Sequence, residues 1–559
     1  MTQATRSVLA ILAFCAAYPP TAGAGTNGLI PTDVRRAVGS RVANRYTPSI
    51  VVGVKTADGE RFLCEGRTRW TGGEAVTPDT VYEIGSITKA FTGLLLADMV
   101  QHGEVKLTDP IDGFLPPGVK APQRESRSIT LAHLAEHSSG LPRIPSNMTF
   151  DDPDDPYASY TQSDLFDFIS GYVLPRKPGE KYEYSNLGMG LLGQLLSHRA
   201  GTPYEQLLIK RILDPLHMPS TRITLTDDMK TRLAYGHNGA TQVKRWNLAA
   251  LAGAGDLDST ARDMLHFAYA NLRSDSGPLA GAMKLAATPR QDADSSDVKV
   301  GLGWHITTRD GKFLVWHNGG TGGFRSFCGY APDRGIAVVV LTNTSMPGVD
   351  DIGFHLLDPG SPLGKNWDRP TVRLTDRQLA RLTGRYELKP GFFMDIAQQS
   401  GFLTVQPTGQ PIFTLYATSP KEFFLPAPKA GGTFELDDKG IPVALVWHQH
   451  GMDQRGPRTG DVPRTQKRPH KHIDPAILAR YTGKYQLLPG AIVQVTHRGD
   501  QLYARLTGQA TLPVYAESET EFFYEVVDAS ITFEVDDSGK TTALVLHQSG
   551  IDQPAEKIE

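Results

Sequence analysis

The chain has 559 residues, more than one hydrophobic core of about 250–300 residues holds, so two to four domains are expected. Its 40% hydrophobic and 21% charged residues are an ordinary globular balance. A formal charge of -3, with no long basic tail, gives no support to a polyanion partner or to nucleic-acid binding.

At the N-terminus Arg6 precedes an apolar run, Val8 to Tyr18, shorter than the ~20 residues a membrane span takes. Thr21-Ala22-Gly23-Ala24 follows, with small residues where a signal peptidase reads. Residues 1–24 are expected to be a secretory signal, placing the mature protein in the periplasm or outside the cell. Cys15 leaves with it. Cys64 and Cys328 remain, with two buried free thiols expected rather than a disulfide.

Residues 25–357 mix helical and strand patterns. Ile50 to Val54 and Arg61 to Glu65 predict a hairpin turning at Asp58-Gly59. An amphipathic helix is predicted from near Ser86 to Gly103, and further helices over Leu187–His198 and Ala261–Leu272. Strands are predicted over Phe313–His317, Phe324–Tyr330 and Ile336–Leu341. Strands at both ends with helices between predict one sheet closed by the two ends of an α/β layered domain.

A proline- and glycine-bearing linker is expected over 358–375. Beyond it the chain repeats: Ala380-Arg381-Leu382-Thr383-Gly384-Arg385-Tyr386 returns 99 residues on as Ala479-Arg480-Tyr481-Thr482-Gly483-Lys484-Tyr485. The same offset maps Glu422-Phe423-Phe424 onto Glu521-Phe522-Phe523 and Ala444-Leu445-Val446 onto Ala543-Leu544-Val545. This is a tandem duplication of an all-β unit, over 376–456 and 474–559. Each copy is long enough for a closed barrel of about eight strands. The basic run Arg455 to His472 is read as a solvated linker, centred on 457–473.

Chemistry concentrates in three motifs. In Ser86-Ile87-Thr88-Lys89, one helical turn places a hydroxyl beside an amine. A serine needs a base, and a lysine desolvated near other cations gives up its proton. The Ser86 amide at a helix start can face an oxyanion. In Tyr184-Ser185-Asn186, Tyr184 next to Lys89 is expected to exist partly as phenolate and to shuttle protons. Asn186 is expected to hydrogen-bond Lys89 and a substrate amide. In His317-Asn318-Gly319-Gly320, Gly319 and Gly320 let a substrate backbone lie along the strand. The Gly320 amide supplies a second oxyanion contact, and His317 a hydrogen bond or a charge. Single matches carry nothing: Ser296-Asp297-Val298-Lys299, Tyr269-Ala270-Asn271, His237-Asn238-Gly239 and His497-Arg498-Gly499 are given no role.

Together the ordered motifs Ser86-x-x-Lys89, Tyr184-x-Asn186 and His317-x-Gly319 resemble the serine β-lactamase / penicillin-binding-protein superfamily, nearest to its class C β-lactamase and D,D-peptidase branch. His137-Ser138-Ser139-Gly140-Leu141-Pro142 and Gly253-Ala254-Gly255-Asp256-Leu257 also fit. The resemblance, over roughly 40–345, implies a sheet flanked by helices with a helical subdomain. It also implies an acyl-enzyme on Ser86, proton handling by Lys89 or Tyr184, and substrate contacts at Asn186, His317, Gly319 and Gly320. No cofactor or metal is implied. The family's β-lactamases and most of its D,D-carboxypeptidases carry lysine where His317 stands, and that lysine binds the substrate carboxylate. That departure, with two C-terminal lipocalin-like barrels, is similar to D-aminopeptidases and related peptidases acting on D-residue peptides, with peptidoglycan-derived peptides as substrates. β-Lactamase or carboxylesterase activity at the same site is the alternative, and a non-catalytic peptidoglycan sensor the alternative of another class.

His133-Leu134-Ala135-Glu136-His137 also fits a zinc-protease pattern, but no third ligand stands at a set spacing. No Gly-x-Ser-x-Gly elbow occurs.

Overall fold

Residues 49–342 open and close on the same sheet. A computed structural model describes residues 28–559 apart from 296, 310, 346–347, 366, 368, 464–469, 510, 526, 528 and 549–550. The expected secretory signal with Cys15, and Ser296 of the second serine–lysine pair, lie outside the described residues. The eight-stranded antiparallel sheet runs in the order Gly59–Gly66, Ser49–Thr56, Ile336–Thr342, Arg325–Ala331, Lys312–Gly320, His305–Arg309, Val298–Val300 and Gln291–Asp292. Ile50 lies opposite Thr342 and Lys55 opposite Ala337, so the domain's first and last strands are neighbours.

Period-two alternation assigns the sheet's two faces. Ile50, Val52, Val54, Val338 and Val340 pack beneath the helices Thr32–Ala43 and Asp350–Leu357, through Val34, Val38, Ile352 and Leu356. Val51, Val339 and Leu341 face the helix Ala261–Leu272. Behind that helix Phe267 stacks on Phe91 with ring centroids 4.0 Å apart. Each such buried side chain contributes about 1.5–3 kcal/mol.

Phe91 belongs to the helix Thr88–Gln101, buried without a break from Thr88 to Met99. It is therefore a central rod rather than the amphipathic helix expected, as its Leu94-Leu95-Leu96 run suits. Gly93 lets the rod meet the connection between the strands Val298–Val300 and His305–Arg309, since a Cβ there would lie 1.9 Å from the Leu302 carbonyl oxygen. Cys64 and Cys328 are free; Cys328 is buried as expected, but Cys64 is only half-buried. Two strands separate theirs, putting them about 14 Å apart, beyond disulfide reach.

The duplicated segments are two closed eight-stranded barrels, Gly384–Gly460 and Gly483–Lys557. Each follows a short helix, Asp376–Leu382 or Pro475–Tyr481. The Tyr386 hydroxyl donates to the Leu382 carbonyl at 2.8 Å, and Tyr485 to Tyr481 at 2.7 Å. The first barrel's last strand, Met452–Gly460, runs past the expected end at 456. Arg455 there pairs with Glu435, so the basic run begins as strand and not as linker. No helix among the described residues is long and apolar enough to cross a membrane.

Candidate active site

The strand Val81–Glu83 leads into Gly85, whose φ of +53° is the left-handed conformation glycine favours. A Cβ there would sit 2.8 Å from the Gly320 nitrogen. After one tight turn, Gly85–Ile87, the buried rod begins at Thr88. Ser86 is thereby partly open to solvent at the head of the rod, while Lys89 is fully buried one turn below. The Lys89 Nζ lies 3.0 Å from Ser86 Oγ and donates to the Ala254 carbonyl at 2.6 Å. Burial, with the Arg143 guanidinium nearby, holds its pKa well below the ordinary lysine value. The uncharged amine has a lone pair to accept the serine proton.

Tyr184 precedes the helix Asn186–Ala200, whose start is capped by Ser185 accepting from the Gly188 amide at 2.8 Å. The Ser185 hydroxyl also donates to the Pro142 carbonyl at 2.7 Å. This fixed turn brings the Tyr184 hydroxyl into hydrogen bonding with Ser86. Lys89 Nζ lies 4.8 Å and the Arg143 guanidinium 5.0 Å from the Tyr184 ring centroid. Desolvation pushes the phenol up to about 12, against the opposing pull of Ser86 and Arg143. The expected phenolate is corrected: beside an uncharged Lys89 no near cation is strong enough to hold a phenolate, and Tyr184 stays a proton donor.

The strand Lys312–Gly320 carries the third motif. Its pairing with His305–Arg309 ends at Trp316, so that edge is open from His317 to Gly320. His317 is buried; its Nδ1 lies 2.5 Å from the Asn318 carbonyl oxygen and its Nε2 has no partner. Burial, followed by His305 and Lys89, drives its pKa well down. The ring is neutral, Nδ1 carries the proton, and Nε2 presents a lone pair. The expectation that His317 brings a charge is therefore corrected. The two glycines have a packing reason beside the one expected. A Cβ on Gly319 would lie 2.0 Å from the Ile84 carbonyl oxygen, and one on Gly320 2.2 Å from Arg325 Nη1. Gly319 lets the strand pack on the nucleophile turn, and Gly320 leaves room for the Arg325 side chain. Asn186 also departs from expectation: its side chain hydrogen-bonds Tyr157 rather than Lys89, and its Oδ1 has no partner.

The Beta-lactamase family model matches residues 34–356, more than half of the chain. The chain belongs to the beta-lactamase family. It is similar to the D-alanyl-D-alanine-carboxypeptidase/endopeptidase AmpH of Escherichia coli, at 30% identity over 58% of this chain and 90% of that protein. It is also similar to an Escherichia coli protein named Beta-lactamase, at 26% identity over 56% and 89%. A crystal structure of a class C beta lactamase from Rhodobacter sphaeroides has the same fold, with TM-score 0.51 and 23% identity over 58% of this chain and 97% of that one. A domain of unknown function, DUF3471, matches residues 467–558, around the second barrel. The chain is a serine hydrolase of this family.

Other residues around this beta-lactamase-family site carried no signal strong enough to be chosen from sequence. His137 lies 4.5 Å from the Tyr184 ring, centroid to centroid, and accepts from the Ser185 amide through Nδ1 at 3.1 Å. It stood in a matched motif without a role. His305, 4.9 Å from His317, has no motif around it. Arg143 directly follows the matched Leu141-Pro142. The zinc pattern dissolves in the geometry. Its helix ends at Ala135, His133 Nδ1 accepts from the Thr130 amide, and His137 takes φ +58°. The two rings do not share a helical face. Of the single matches, His237 bonds Asn343 and His497 belongs to the second barrel.

Proposed function

We propose that this serine hydrolase is an exported peptidase or amidase that forms an acyl-enzyme on Ser86 and acts on D-amino-acid-containing peptides. The observation that carries the reading is the buried, uncharged Lys89 3.0 Å from Ser86 Oγ, with the Tyr184 phenol on the same hydroxyl. Lys89 takes the serine proton as Ser86 attacks a carbonyl, and the amides of Ser86 and Gly320 hold the oxyanion. Tyr184 protonates the leaving group, and water then resolves the ester. An extended peptide can pair along the open edge His317–Gly320. A neutral His317 brings no charge to hold a substrate carboxylate, which favours amides and internal peptide bonds over β-lactams, and the likeness to a carboxypeptidase/endopeptidase supports the peptide class. Export rests on the pattern in residues 1–24.

The test is one hydrolysis panel: a D-Ala-D-Ala peptide, a D-amino acid amide, a chromogenic cephalosporin and a nitrophenyl ester. Turnover of the ester alone removes the peptidase reading. A fluorophosphonate should label the wild type and not Ser86→Ala. Because Lys89 acts unprotonated, kcat/KM should persist at neutral pH and fall on acidification through its lowered pKa.

A further inference from the structure

The loop 143–157 frames the site at both ends. At its start the Arg143 carbonyl accepts from the amides of Asn186 at 3.0 Å and Leu187 at 3.2 Å. Its guanidinium stands over Tyr184. At its end Tyr157 takes the Asn186 side-chain hydrogen bond and packs 5.4 Å from Trp246, ring to ring. Trp246 in turn lies against Gly322 at the end of the third motif, where a Cβ would meet its Nε1 at 2.7 Å. Met148 anchors the middle of the loop in the core. The domain itself braces the loop through Asn147 Nδ2, which donates to the Asp164 carbonyl at 2.8 Å, and through Lys244, which pairs with Asp152. A second set of polar contacts comes from the second barrel. Arg505 Nη1 donates to the Ser146 carbonyl at 3.0 Å, and Arg498 Nη2 to the Asn147 carbonyl at 3.0 Å. Arg498 also pairs with Asp164 at 3.3 Å. Thr149 bridges to Thr511, and the Phe150 amide donates to the Thr511 carbonyl at 3.2 Å. Tyr503 hydrogen-bonds Asp151.

The first barrel carries Gln399, Thr404, Gln406 and Ile412 where the second has Arg498, Tyr503, Arg505 and Thr511. The duplication kept the barrel and changed the four residues that grip the loop.

We propose that the second barrel is a positioning module for the active site: Arg498 and Arg505 hold loop 143–157 so that Arg143 and Tyr157 keep Tyr184 and Asn186 in place. This rests on the reading of Ser86 and Tyr184 given above. Neither arginine touches the reacting atoms; both act through the loop, and a small misplacement of a catalytic group is costly.

The test uses the full chain with Arg498→Gln and Arg505→Gln together. Those are the residues the first barrel bears at the same places, so the barrel is expected to keep its fold. The expected result is a loss of kcat, and of the rate of Ser86 labelling by a fluorophosphonate, of roughly 10- to 100-fold. Amide hydrogen exchange should rise across 144–152 and stay unchanged within 483–557. Arg498→Lys with Arg505→Lys should restore most of the rate. Wild-type kcat and labelling in the glutamine variant would overturn the proposal, as would lost activity with unchanged exchange in 144–152. A wild type that fails to label at all would instead overturn the assignment of Ser86.

Discussion

The first barrel meets the hydrolase domain through a cluster of buried rings beside one arginine, whereas the second meets it mainly through polar contacts, its arginines reaching backbone carbonyls. Both use corresponding edges, residues 399–416 in one and 498–511 in the other. In the first dock Tyr46, Trp367, Phe402, Tyr416 and Phe424 form one buried cluster. Arg45 lies 3.7 Å from the Phe402 ring centroid and donates to the Gly401 carbonyl at 2.7 Å. Partial burial, with Arg373 next, pushes that guanidinium down to about 10. In the second dock Arg498 is 41% exposed, so water and salt reach the contact. One duplication has thus produced a fixed joint and a wettable one, and the wettable joint adjoins the catalytic wall.

The largest expected effect comes from breaking the fixed joint. Phe402 belongs to the interface cluster rather than to the barrel's own core. Phe402→Ala should cost about 3–5 kcal/mol through lost burial and the cavity left behind. Arg498→Ala should cost no more than about 1 kcal/mol in stability, because its ion pair is exposed. Chemical denaturation of the full-length variants compares the two. Equal costs would remove the distinction between the docks.

How much of this was legible in the sequence depended on range. Ser86 and Lys89 were readable because one helical turn fixes their relation locally, and the barrels because the repeat keeps one offset throughout. Tyr184 was found, but its protonation was misjudged. That state depends on whether Lys89 is charged, which only burial decides. Gly319 and Gly320 carry a second constraint that the motif does not show, since a side chain there would meet the Ile84 carbonyl and Arg325. Arg143, Tyr157 and His305 enter the site through tertiary packing and have no spacing of their own. The Arg498–Asn147 contact joins residues far apart in the chain, which no periodicity encodes.

A smaller effect sharpens the contrast without mutation. Raising salt to 1 M shrinks the screening length to about 3 Å and weakens exposed pairs far more than buried ones. Arg498–Asp164 at 3.3 Å and Lys244–Asp152 at 2.5 Å both brace the loop end of the wettable joint. Hydrogen exchange over 146–152 should rise severalfold in high salt, while residues 399–402 at the first dock should not respond. An equal response at both docks would mean that the second is as dry as the first.

The smallest expected effect concerns what the barrels share. On each outer surface a threonine, a histidine and an aspartate are linked across strands. Thr433 lies 2.8 Å from His448, and His448 2.7 Å from Asp453. Thr532, His547 and Asp552 repeat this at 2.9 and 2.7 Å. The arrangement looks like a nucleophile–base–acid relay, yet it recurs in both copies although only the second grips the catalytic loop. A repeated feature independent of docking is explained by what the barrel itself needs: cross-strand hydrogen bonds that pin register. Thr433→Val and Thr532→Val should each cost about 0.5–1.5 kcal/mol. The two costs should agree within a few tenths, with kcat unchanged in both. A loss of turnover in one alone would show that its ladder does chemistry and that the barrels differ in more than their docks.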